Sequence, residues 1–194
     1  MLERDFLQAR AAGGDVAAFD ALMRDTKAGL YRFVRRYVGD ADESYDLVQE
    51  AYAAAWLAIR RYDPQRSFDA WLRTIAINKC RDWSRRRRVR RLFFGRVDLD
   101  STEALAVAED QLSATDRHDA ADQARRLHAA IAALPTTLKE PLLLTAIEER
   151  SQAEAAAILG VSIKAVETRV ARARQMLAGR LAEELSQAGM RRET

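Results

Sequence analysis

Residues 151–174 read Ser-Gln-Ala-Glu-Ala-Ala-Ala-Ile-Leu-Gly-Val-Ser-Ile-Lys-Ala-Val-Glu-Thr-Arg-Val-Ala-Arg-Ala-Arg, and no other stretch limits the fold so tightly. Ser151 followed by Glu154 is a capping box, in which side chain and backbone satisfy each other at a helix start. Ala155, Ile158 and Leu159 supply a buried stripe. Gly160 stands where a left-handed residue ends the helix, and Val161 tucks under the turn. Ser162 then caps a second helix whose Val166 and Val170 face inward, while Lys164, Thr168, Arg169 and Arg172 face out. A helix, a Gly-centred turn and a basic second helix are the parts of a helix-turn-helix, whose second helix enters the DNA major groove. The competing reading is an ordinary αα-hairpin with solvated arginines. Agreement among both caps, the turn and the basic outer face favours DNA.

The rest of the chain is equally helical in character. Its 194 residues hold one ordinary domain or two small ones. Hydrophobic residues make up 48%, while eight glycines and three prolines leave few breaks. Ala, Leu, Arg and Glu dominate, which favours helix over strand. Cys80 is the lone cysteine, which excludes a disulfide framework and a thiolate zinc cluster. His118 and His128 lack the spacing for two ligands on one helix face, and neither follows a Glu by three residues. No cofactor or metal is expected. The N-terminus carries acids and no apolar core of a secretory signal, and no apolar run reaches the roughly 20 residues of a membrane span. A soluble, cytoplasmic protein without membrane insertion is the expectation.

Along the chain the pattern divides into an all-α pair of small domains joined by an acidic linker. Residues 1–91 form the first. Phe19, Leu22, Met23, Leu30, Phe33, Val34 and Tyr37 mark one face of a helix starting near Asp15, and Gly39-Asp40 breaks it. Leu47, Val48, Ala51, Tyr52, Ala55 and Ile59 mark the next, which Asp63-Pro64 ends. After the short loop, Ser67 caps a third helix with Phe68, Trp71, Leu72 and Ile75, running on into arginines. Residues 92–123 are the linker, flexible or partly helical, where Asp98, Asp100, Glu103, Glu109, Asp110, Asp116, Asp119 and Asp122 face only Arg96 and Arg117. Residues 124–182 form the second domain. Leu127, Ile131 and Leu134 make a stripe ended by Pro135. Thr137 and Glu140 suggest a further capping box, with Pro141 in the first turn of that helix. Residues 183–194 read as a polar, fraying tail.

Two constellations outside the helix-turn-helix carry chemistry. Eight arginines and one acid, Asp82, lie between Arg81 and Arg96. A tract so basic suits phosphates. It continues a helix presenting Asn78, Lys79, Asp82 and Trp83, which can hydrogen-bond or stack on bases. Trp71, at helical spacing with Phe68 and Ile75, reads as core. Asp42, Asp46 and Glu50 recur every four residues beside Gln49. Carboxylates so arranged can hold metal or move protons, but no histidine, phosphate loop or nucleophile set accompanies them. They read as an acidic face for a partner protein.

Together these segments resemble the extracytoplasmic-function (ECF) group of bacterial RNA polymerase sigma factors, over roughly residues 15–91 and 124–180. The motifs are Asp46-Leu47-Val48-Gln49-Glu50 and Phe68-Asp69-Ala70-Trp71-Leu72-Arg73-Thr74-Ile75-Ala76-Ile77-Asn78, continued by Asp82 and Arg85. In the second domain they are Leu134-Pro135, Leu159-Gly160-Val161-Ser162 and Val166-Glu167-Thr168-Arg169, with Arg172-Ala173-Arg174. The resemblance implies that Asp46, Leu47, Gln49 and Glu50 dock on the β′ clamp helices of core RNA polymerase. It implies that the loop of Pro64, Gln65, Arg66 and Ser67, with Asn78, Lys79, Asp82, Trp83, Arg85 and Arg86, holds minus-ten promoter DNA and one unstacked base. The second domain would bind the β flap and place Ser162, Lys164, Glu167, Thr168, Arg169, Arg172 and Arg174 at the minus-thirty-five element. The linker would pass through the polymerase cleft. No catalytic residue is implied, and a cognate anti-sigma factor is the expected regulator. Glu167 departs from the basic residue usual there, and Ala171 from a bulkier one. The alternative function is a stand-alone helix-turn-helix regulator, which would leave the acidic face unused.

Overall fold

Asp15 starts the first long helix as its spacing requires, its Oδ1 accepting from the Ala18 N–H at 3.0 Å. In the computed structural model, which describes residues 2–94 and 114–190, that helix is α2 (Val16–Val38), preceded by α1 (Leu2–Ala12). Gly39 ends it at φ 86°, a conformation that strains any residue with a Cβ, and Asp40 at once caps α3 (Ala41–Ala58) through the Glu43 N–H. A 3-10 turn, Ile59–Arg61, closes α3. After an exposed loop, Ser67 Oγ accepts from the Ala70 N–H and α4 (Phe68–Phe94) begins. The second half comprises α5 (Ala114–Ala132), α6 (Thr136–Leu142), α7 (Gln152–Leu159) and α8 (Ile163–Met190). No strand occurs among the described residues, so the all-α reading holds.

Three local expectations give way. The linker is not among them: α5 runs from Ala114, so the stretch is partly helical, while its acids Asp98, Asp100, Glu103, Glu109 and Asp110 lie outside the described residues. At the other end α8 continues to Met190, through most of the stretch read as a fraying tail. Thr137 and Glu140 form no capping box. Pro135 occupies the N-cap position of α6 with no side-chain cap, and Glu140 turns into the interior instead. Pro141 then lies one turn beyond the start of α6, not within its first turn. Having no N–H, it interrupts the regular ladder. The chain continues through a wider π turn, Leu143–Ile147, with Glu148 N–H bonding to Leu143 C=O at 3.1 Å.

The two halves share one core. Phe33, Tyr37, Leu72 and Ile77 from α2 and α4 belong to the same buried cluster as Ile131, Leu143, Leu144 and Ile158. Charged side chains reinforce the seam at two places. Glu140, 4% exposed, accepts from Arg81 Nε at 2.8 Å and Nη2 at 2.6 Å, and from the Tyr37 hydroxyl at 3.2 Å. Lys139 beside it donates to the Tyr37 carbonyl at 2.9 Å and to the Ala132 carbonyl at 2.5 Å. Near the start of α4, Arg73 meets Glu148 at 2.6 Å and Asp69 at 3.4 Å, and Arg150 bonds Asp69. Burial holds Glu148 above the usual carboxylate range, partly offset by Arg73. Gly29, inside α2, leaves room for the Arg73 guanidinium, since a Cβ there would come within 3.3 Å of it.

Candidate nucleic-acid interface

Four surfaces hold the residues singled out from the sequence. The first is the outer face of α3, where Asp42, Asp46, Gln49 and Glu50 are all exposed, joined by Tyr45 and by Leu57 at 87% exposure. Period 3.6 puts these on one stripe because Leu47, Val48, Ala51 and Ala55 occupy the opposite one. Leu47, taken as a docking residue, is only 2% exposed. It anchors the helix and offers a partner little surface.

Between α3 and α4 runs a groove of about 610 Å³, floored by Leu47 and Trp83, with Glu43, Asp46 and Glu50 on one wall and Arg85, Arg86 and Arg90 on the other. The sequence offers Trp83 as a residue that can stack on bases. The structure puts it at 6% exposure, its indole N–H bonded to Glu43 Oε2 at 2.8 Å and its ring covered by the Arg87 guanidinium at 5.2 Å. One face of the indole is covered by Arg87 and its N–H is taken by Glu43, so little of the ring is left for a base to stack on. Glu43 and Arg87 therefore belong to the site although the sequence did not single them out. Nothing in the spacing tells an acid that binds a neighbouring helix from one that faces water.

On α4 the remaining polar residues divide by direction. Asn78 is exposed, its carbonyl 3.3 Å from Arg81 Nη1. Lys79 pairs with Glu50 at 3.3 Å, which links the basic helix to the acidic face. Asp82 bonds Arg85, and Arg85, Arg86 and Arg88 lie open to solvent. Ahead of α4, Asp63, Pro64, Gln65, Arg66 and Ser67 are all exposed. Asp63 folds this loop on itself, its side chain accepting from Gln65 N–H and its carbonyl from Arg66 N–H, both at 3.0 Å.

The fourth surface is α8, built as its sequence requires. Both halves of the Ser151–Glu154 capping box form, and those bonds hold the Glu154 carboxyl below its usual range. Gly160 takes φ 67°, and Ser162 Oγ accepts from Ala165 N–H at 3.2 Å. Val166, Val170, Ala173 and Leu177 are buried, so Lys164, Thr168, Arg172 and Arg174 project outward, with Glu167 and Arg169 half-exposed at the edge. Lys164 Nζ lies 3.2 Å from Glu167 Oε2. Among the described residues no cluster of three metal-ligating side chains occurs and no helix is long and apolar enough to cross a membrane.

Comparison with known proteins finds two regions of one family in order along the chain. Residues 22–90 match the family described as Sigma-70 region 2, and residues 124–177 match Sigma-70, region 4. The RNA polymerase sigma factor CnrH of Cupriavidus metallidurans is 40% identical over 176 residues, covering 90% of this chain and 92% of that protein. The ECF RNA polymerase sigma factor SigC of Mycobacterium tuberculosis is 32% identical, covering 86% of this chain and 85% of that one. The solved structure of CnrH in complex with the cytosolic domain of CnrY superposes with a TM-score of 0.68 at 34% identity, over 92% of this chain and 97% of that chain. With both regions in order, and the helix-turn-helix formed at its caps and turn, the chain belongs to the extracytoplasmic-function sigma factors, which direct bacterial RNA polymerase in transcription initiation.

Proposed function

We propose that each exposed surface does one part of promoter recognition. The α3 face of Asp42, Asp46, Gln49 and Glu50 docks on the β′ clamp helices. The Asp63–Ser67 loop and Asn78 hold an unstacked minus-ten base, and the open arginines of α4 clamp phosphates. Unstacking costs a few kcal/mol, which contacts in the loop offset, and no bond is made or broken. The second domain contacts the β flap, and α8 reads the minus-thirty-five element. The protein works in the cytoplasm, where its polymerase is, without a cofactor or catalytic group of its own. An anti-sigma protein regulates it, and the related CnrH is itself solved in complex with a partner, the cytosolic domain of CnrY. The observation that carries this reading is the α3 face, which stays outward and acidic beside a basic helix although Glu50 has an intramolecular partner within reach.

Run-off transcription with purified core polymerase tests the activity, which should appear only when the chain is added. Asp46→Arg with Glu50→Arg tests the docking face. Both sites are exposed, so helicity should survive while co-purification with core falls sharply, because like charges then meet across the contact. Unchanged co-purification would remove α3 from the interface.

A further inference from the structure

The helix α1 lies outside the matched Sigma-70 region 2, which begins at residue 22, yet one of its side chains is built into the floor of the base-reading loop. Gln8 is polar but only 6% exposed. Its Oε1 accepts the Phe68 N–H at 3.3 Å, one of the amides left unpaired at the start of α4. The same atom lies 2.5 Å from the Tyr62 hydroxyl, and that hydroxyl lies 2.5 Å from the Arg66 carbonyl. A phenol has a single proton to donate, so it sits between two acceptors, one on α1 and one at the far end of the loop. Tyr62 precedes the loop and Phe68 follows it. Gln8 thus ties the residue entering the loop to the residue leaving it, and through Tyr62 reaches the Arg66 backbone.

Packing fixes this arrangement from every side. The Tyr62 ring is 4% exposed and packs against Phe68 at 5.7 Å and Trp71 at 4.9 Å. Burial pushes its hydroxyl up to about 12, so it stays protonated and remains a donor. The helix α1 is itself held: Arg10 bonds the Asp15 cap of α2 at 2.8 Å, Arg4 pairs with Asp25 at 3.0 Å, and Ala11 is fully buried. Above this rigid base, Asp63 to Ser67 are all exposed. A loop whose ends and carbonyl are fixed, and whose side chains are free, presents those side chains in one geometry.

We propose that Gln8 is a positioning residue for promoter reading, and that α1 acts as a strut setting the conformation of the Asp63–Ser67 loop. The inference rests on the proposed role of that loop in holding a minus-ten base. Gln8 touches no DNA; it acts through Tyr62 and the Arg66 backbone.

The test uses the full chain with core polymerase on promoters carrying every base at each minus-ten position. Gln8→Leu keeps the volume and removes the acceptor. Tyr62→Phe keeps the ring and removes the bridging hydroxyl, and it stands in if Gln8→Leu fails to accumulate. Each should lower the ratio of preferred to non-preferred base at one position about tenfold, as small misplacements of a positioned group do. Preference at the minus-thirty-five element and affinity for core should not change. Gln8→Glu, which keeps an acceptor, should restore part of the ratio. Equal loss on every promoter, with the ratio intact, would mean that Gln8 only stabilises the fold and would overturn the proposal. Gln65→Ala with Arg66→Ala separates the premise from the inference. If that variant keeps its base preference, the loop does not read the base and both fall; if it loses the preference while Gln8→Leu keeps it, the strut alone is wrong.

Discussion

Lys139 shows how much one side chain can bear in this molecule. It is 4% exposed, donates to two backbone carbonyls on different helices, and lies 4.7 Å above the Tyr37 ring. Burial pulls its ammonium down from the ordinary 10.5 to about 8. Below pH 8 the lysine is charged in both folded and unfolded chains, and the folded chain carries the burial cost. Between pH 8 and 10.5 the unfolded chain keeps the proton that the folded chain has lost, so stability rises through that window. The buried Cys80 thiol and Tyr37 hydroxyl are both pushed up, which acts in the opposite sense once the unfolded chain begins to ionise near 9 and 10. The lysine is therefore cleanest between pH 8 and 9, where it should contribute a gain of about 1 kcal/mol. Urea midpoints measured at pH 7, 8 and 9 should rise in the last step for the natural chain, and for Lys139→Met stay level or fall slightly as unfolded Cys80 begins to ionise. A rise that survives the substitution would assign it elsewhere.

At the scale of elements, α7 and α8 were the most legible part of the chain and α6 the least. A capping box, a left-handed Gly and a period-3.6 stripe are local signals, and each formed as its residues require. The same Thr-x-x-Glu pattern at Thr137 and Glu140 failed because Arg81 and Tyr37, far along the chain, offer that carboxylate charge-assisted bonds inside the core. The burial of Trp83 is hidden from the sequence for a related reason, its partner Glu43 lying on another helix. The stripes of α3 were legible, and spacing puts Leu47 on the buried one although the docking motif includes it. On α8 the unusual residue is Glu167. Its partner Lys164 is 85% exposed, and such a pair contributes no more than about 1 kcal/mol. An acceptor so weakly held is free to exchange Lys164 for a cytosine amino group, being the one carboxylate beside Lys164, Thr168, Arg169 and Arg172. Glu167→Gln should therefore leave thermal stability nearly unchanged and shift the preferred base at one minus-thirty-five position. Selection from randomised promoters reads this directly, and an unaltered consensus would retire the idea.

The whole molecule joins two regions that the sequence presents as separate domains. Spacing predicts each half, but not that α4 is shared as a wall between them, because the contacts are long-range and partly ionic. Glu140 and Glu148 reach from the second half to Arg81 and Arg73 on α4, and all but Arg81 are nearly buried. A buried ion pair adds little over an apolar one, but removing one partner leaves the other uncompensated, at a cost of about 3–5 kcal/mol. Arg81 is 39% exposed and regains water when Glu140 is lost, and Arg73 keeps Asp69 at 3.4 Å when Glu148 is lost, so either removal alone should cost less than that. The consequence is cooperativity. Trp56, Trp71 and Trp83 all lie in the first half, so tryptophan fluorescence reports that half alone, while far-ultraviolet circular dichroism reports both. The natural chain should give coincident midpoints by the two probes, as a single transition requires. Glu140→Ala with Glu148→Ala should pull the midpoints apart, the second half melting first because it has lost the wall it packs on. Coincident midpoints at an unchanged temperature would show that apolar contacts alone couple the halves, and that the two ionic contacts only select the orientation in which they meet.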